Sequence, residues 1–121
     1  MTVRHNTIDA EGPSNNAAVF FAHCSVSAVV ENKLLKGGAY TLRIHDDSGN
    51  AATSSFNCGG SADVGPWRIT GNRVVSGSAD FGPAYTVNTQ CGAASMTWAD
   101  NRTVSIDAGY NVTSTGAEVR C

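Results

Sequence analysis

Two tryptophans and three histidines are the side chains with the most chemistry to offer in this sequence. Trp67 follows Gly65-Pro66 and precedes Arg68, a rigid junction from which a ring can project. Trp98 is followed closely by Asp100, Asn101 and Arg102. A flat aromatic beside amide, carboxylate and guanidinium groups suits a sugar. The apolar C–H face of a pyranose stacks on the ring, and the polar groups bond adjacent hydroxyls. The expected ligand surface is therefore Trp67, Arg68, Asn72 and Arg73, with Trp98 and Tyr85 extending it. Tyr110 offers a further ring. The competing reading places both tryptophans in the core, where small β-domains commonly keep them.

The histidines, at positions 5, 23 and 45, share no local spacing. His23 or His45 with Glu31 and an arginine makes an acid–base pair on paper, as a small hydrolase or ribonuclease would need. His45 also precedes Asp46-Asp47-Ser48-Gly49-Asn50, whose oxygens loosely resemble a calcium loop, but the distal bidentate Glu is missing. The same residues suit a plain turn. The sequence contains no Gly-x-Ser-x-Gly elbow, phosphate loop, His-Glu-x-x-His or dinucleotide fingerprint. No catalytic residue, metal or cofactor is expected, and a non-enzymatic binding protein is the leading reading.

Charge narrows the partners. The net charge is −2 with no run of Lys or Arg, so a phosphate backbone finds no clustered cation and nucleic acid is not expected. No stretch approaches the roughly 18 consecutive apolar residues of a membrane span. Four cysteines, Cys24, Cys58, Cys91 and Cys121, lie 34, 33 and 30 residues apart with no Cys-x-x-Cys pair. That spacing argues against structural zinc and for two disulfides, each contributing about 3–4 kcal/mol by chain entropy. Three pairings are open, with Cys24–Cys58 and Cys91–Cys121 preferred. Disulfides imply an oxidising compartment, and the sequons at Asn101 and Asn111 are compatible with secretion and glycosylation. The polar opening, MTVRHNTIDAEGPSNN, has no hydrophobic signal region; Met1 is expected to stand where a signal peptide was removed.

The elements that must position these residues are short. Phe20, Ala22, Cys24, Val26, Ala28 and Val30 alternate with more polar residues, a period-two pattern of a half-buried strand. Residues 26–36 compete as a short helix stopped by Gly37-Gly38. Tyr40 to His45 alternates, turns at 46–50 and returns to Cys58, a predicted β-hairpin. Further short strands are predicted at 68–76, 83–90, 94–99, 102–107, 110–114 and 117–121. The order Cys-Gly, Trp, Asn-Arg-x-Val-Ser occurs twice, at 58–76 and 91–105, with unequal gaps. Chance similarity in a Gly-, Ser- and Ala-rich chain accounts for it more simply than duplication.

One domain over 1–121 is expected, with a polar N-terminal segment at 1–16. Its fold is predicted as mainly β: a small antiparallel sandwich or barrel-like domain stapled by two disulfides, with room for a helix over 26–36 and α+β as the alternative. The expected function is that of a secreted, lectin-like module for glycans or glycoproteins, and a homodimer would strengthen such binding. The alternatives are an effector or protease inhibitor that docks on a target protein through a braced loop, Gly59–Trp67 or Gly77–Tyr85, or the small hydrolase above.

Overall fold

The computed structural model describes residues 2–4, 6–11, 15, 17–21, 28–44, 67–86 and 96–120. Among them run twelve strands: β1 Thr2–Arg4, β2 Thr7–Ala10, β3 Val19–Phe21, β4 Ala28–Glu31, β5 Leu34–Gly37, β6 Tyr40–Ile44, β7 Trp67–Thr70, β8 Arg73–Val75, β9 Gly82–Thr86, β10 Met96–Ala99, β11 Arg102–Ile106 and β12 Val112–Glu118. The described residues are mainly β, as the turn spacing predicted.

The strands recur in threes. β1, β4, β7 and β10 make one parallel sheet, and β3, β6 and β9 make another. β2, β5, β8 and β11 make the third, also parallel, to which β12 adds antiparallel. The chain therefore winds round three faces, and each circuit lies on the one before. This is a three-sided parallel β-solenoid. The expected antiparallel sandwich or barrel is corrected: period-two alternation reports one buried side of a strand and is silent on the direction of its neighbours. In a coil the return connection is a whole circuit, so parallel pairing needs no crossover helix.

The topology bears on three further expectations. Residues 26–36 are not helical where described: β4 and β5 meet at Asn32, whose φ of 54° ends any helix. Of the hairpin predicted on residues 40–58, β6 lies between β3 and β9, parallel to both, while the turn and return at 45–58 lie outside the described residues. The polar 1–16 stretch contributes β1 and β2 to the first circuit. The Asn-Arg-x-Val-Ser segments are stacked circuits in register, with Arg102 on Arg73, Thr103 on Val74 and Val104 on Val75. The repeat is structural.

Inside the prism, Val19, Val30, Leu35, Leu42, Trp67, Ile69 and Val74 form one core, joined by Val119 from beyond β12. Burying each Val, Leu or Ile contributes about 1.5–3 kcal/mol. One corner recurs as a two-residue turn: Asn32-Lys33, Gly71-Asn72 and Asp100-Asn101. The first residue of each is left-handed, with φ of 54°, 67° and 52°. The second turns inward and is buried. Backbone bonds run straight up this corner, Leu34 N–H to Asn6 C=O, Arg73 to Lys33, Arg102 to Asn72 and Val119 to Asn101.

Candidate functional site

The interior corner explains two of the predicted ligand residues. Asn72 and Asn101 are fully buried and form an amide ladder. Asn72 Nδ2 donates to Val30 C=O at 3.0 Å and to Asn101 Oδ1 at 2.8 Å, while its Oδ1 accepts from Lys33 N–H at 3.0 Å. Asn101 Nδ2 donates to Ile69 C=O at 2.9 Å. These amides bond buried backbone groups at the corner, as buried polar groups require. Neither faces a ligand, and Asn101 presents no free amide for glycosylation in the folded chain. Asn111, at the turn between β11 and β12, is exposed.

Trp67 is also interior, at 1% exposure, because it alternates in β7 with exposed Arg68 and shares the inward side with Ile69. The expected projecting ring is therefore corrected to a core residue. Trp98 is half-buried, packs on the same core and donates from Nε1 to Val119 C=O at 2.8 Å. The two rings are not equivalent, since Met96 registers with Trp67 and Trp98 with Ile69. The side chain of Tyr85, all three histidines, all four cysteines, the Asp46–Asn50 turn and residues 59–66 of the first candidate loop lie outside the described residues.

What the fold does bring together is a polar ridge along the outside of the left-handed corner. Glu31, Arg68 and Thr70 come from β4 and β7, Asn32 and Asp100 from the turns, and Arg73 and Arg102 from β8 and β11. Arg68 pairs with Glu31, which Thr70 Oγ1 also meets at 3.5 Å. Arg73 donates from Nη1 to the carbonyls of Asp100, at 2.7 Å, and Asn72, at 3.2 Å, and from Nη2 to Asp100 Oδ2 at 3.1 Å. Arg102 Nε reaches Asp100 Oδ1 at 3.1 Å. Asp100 thus bridges two guanidinium groups one circuit apart, roughly 4.8 Å along the stack. Arg73 first, then Arg102, holds its carboxyl below the ordinary aspartate range. Gly71 keeps the ridge close, because a Cβ there would lie 2.5 Å from Asn32 Oδ1.

A second polar group fastens the C-terminal hairpin to the first circuits. Tyr110 OH donates to Asp9 Oδ2 at 2.6 Å, and Lys36 Nζ lies 2.8 Å from Glu11 and 3.4 Å from Asp9. Lys36 Nζ also stands 5.6 Å from the Tyr110 ring centre. The Tyr110 bond lowers Asp9, Glu11 raises Lys36, and Asp9 raises Tyr110. Each group moves away from neutrality, whereas proton transfer at neutral pH needs groups poised near it. The cluster ties the hairpin down.

The aromatic that sequence reasoning missed is Phe81, 73% exposed at the corner between β8 and β9. Its ring leans on Tyr40 with centroids 5.7 Å apart. Beside that corner, Val75, Ser76, Gly77, Pro83 and Thr103 line a shallow pocket of about 110 Å³. The signal was present: Asp80-Phe81-Gly82-Pro83 sets an aromatic within turn residues, where a ring has little to pack against.

Among the described residues no three His, Cys, Asp or Glu side chains converge on one metal position, and no helix is long and apolar enough to cross a membrane. Compared with known proteins, the chain matches no family model, no curated protein and no solved structure.

Proposed function

We propose that this chain is a secreted, non-enzymatic carbohydrate-binding module, and that the polar ridge Glu31–Asn32–Arg68–Thr70–Asp100–Arg102 is its ligand surface. One observation carries the reading: donors and acceptors of four kinds stand in register along one exposed edge of a rigid stack. A saccharide offers the same alternation of donors and acceptors on neighbouring carbons. Preorganisation by the stacked corners lowers the ordering cost of such binding. The pairing of the four cysteines in two disulfides and glycosylation at Asn111 belong to the same proposal.

The test is a glycan array probed with the oxidised protein and with the Arg68→Ala, Arg102→Ala double variant. Binding by the wild type and its loss in a normally folded variant supports the module. A blank array for folded wild type removes it.

A second reading is favoured by Phe81. An exposed aromatic at a corner beside a small pocket, within the Gly77–Tyr85 loop, has the form of an anchor for a protein partner. If Phe81→Ala abolishes capture of a target while the arginine double variant does not, the module acts on a protein.

A further inference from the structure

The ridge holds a part-exposed guanidinium that a neutral sugar leaves underused. Glu31 and Arg68 cancel as an ion pair. At the other end, Arg73 and Arg102 share the carboxylate of Asp100, so this trio carries one net positive charge, with the exposed Glu118 across from Arg102 in the β11–β12 pair. The two arginines differ in freedom. Arg73 is spent on positioning, with Nη1 on two carbonyls and Nη2 on Asp100. Arg102 is held through Nε by Asp100, with Nη1 making one long contact of 3.5 Å to Gly116 C=O, and its side chain is 43% exposed. The guanidinium thus keeps N–H groups beyond these two bonds on a part-exposed side chain, and such a group takes a carboxylate or sulfate through two parallel bonds.

We propose that the ridge selects acidic saccharides, with Arg102 as the residue that grips the anionic substituent and Arg73 and Asp100 as the residues that position it. This rests on the carbohydrate reading above and names the ligand class within it. Asp100 partly offsets the cation, which predicts an unusual sign. Removing its charge strengthens binding of an anion, whereas removing a carboxylate that bonds neutral hydroxyls weakens it. The substitution is structurally mild, because Asn tolerates the left-handed φ of 52° that Asp100 adopts.

The experiment titrates wild type, Asp100→Asn, Arg102→Gln and Arg102→Lys with short oligoglucuronate, its methyl ester, a sulfated disaccharide, neutral oligoglucose and polyuridylate. Circular dichroism and thermal unfolding confirm that each variant is folded. Oligoglucuronate or the sulfated sugar should bind better than the ester and oligoglucose, and the affinity should fall with added salt. Asp100→Asn should tighten binding about threefold at low salt, the effect of one charge roughly 6 Å away in water. Arg102→Gln should abolish the preference for charge, and Arg102→Lys should restore it only in part. Equal binding of the ester and the acid, or weaker binding by Asp100→Asn, overturns the acidic selectivity while the carbohydrate module stands. No saccharide binding by folded protein removes both. Polyuridylate binding as tightly as oligoglucuronate overturns it in favour of an unselective polyanion surface.

Discussion

Replacing Asn72 by Ala probes the device that holds the ridge in register. The side chain makes three bonds in a fully buried position, two as donor and one as acceptor. Asn101 Oδ1 keeps a second donor, Asn72 N–H at 3.2 Å, so its loss is partial. Val30 C=O and Lys33 N–H each lose this amide, and a buried group stripped of its partner costs about 1–3 kcal/mol. With the small void added, the expected loss is about 3–5 kcal/mol, a large share of a small domain's stability. Thermal unfolding followed by circular dichroism should show a fall in Tm of more than about 10 °C. Asn72→Asp sharpens the case. At neutral pH it replaces the donor Nδ2 by a carboxylate oxygen that faces the oxygens of Val30 and Asn101. It should be less stable than Asn72→Ala and recover as acid protonates the carboxyl. A loss below about 1 kcal/mol for Asn72→Ala, as an exposed Asn gives, would refute the ladder.

Other outcomes follow from the same geometry. Gly71→Ala should cost about 1–2 kcal/mol by denaturant unfolding, since φ is 67° and the new methyl meets Asn32 Oδ1; Asn32→Gly in the same chain should recover the clash but not the φ strain. Asp9, Asp100 and Asp107 are all lowered in the fold, the first chiefly by Tyr110, the second by Arg73 and the third by the Asn111 backbone. Their contributions are complete above the unfolded aspartate pKa of about 4 and are lost as pH falls through the lower folded values, so acid unfolding should steepen below pH ~4. Lys36 and Tyr110 are raised, so their contributions hold below pH ~10 and fade above it. Tyr110→Phe should flatten both limbs of the stability–pH curve. Expression in a host that N-glycosylates should add one glycan, removed by Asn111→Gln and unaffected by Asn101→Gln, as read by intact mass.

Strand positions were largely legible. The predicted strands at 83–90, 94–99 and 102–107 overlap β9, β10 and β11, and Tyr40 to His45 covers β6, because alternation and turn residues act within a few positions of each other; the single strand predicted at 68–76 is instead β7 and β8, on two sheets, broken at the Gly71-Asn72 corner. Strand direction was not, since parallel and antiparallel neighbours impose the same alternation on a half-buried strand. The informative signal was the repeated Asn-Arg-x-Val-Ser, whose asparagines are 29 residues apart, one circuit of the coil. Unequal loop lengths between circuits hid it, and Lys33 occupies the ladder position one circuit before Asn72. Leu34-Leu35 between charged residues looked helical, yet Asn32 in the left-handed region starts a new strand in which Leu35 is buried and Leu34 only partly so. The site was half legible. Arg68 and Arg73 do face outward, while Trp67 and Asn72 went inside because their strand and corner positions put them there.

The most direct test of the account is amide mapping by NMR, with ¹⁵N-labelled protein titrated with the best-binding saccharide. Shifts should concentrate at Asn32, Thr70, Gly71, Asp100 and Arg102, along the outside of one corner and across three circuits. Shifts confined to Gly77–Tyr85 around Phe81, with that corner silent, would contradict it.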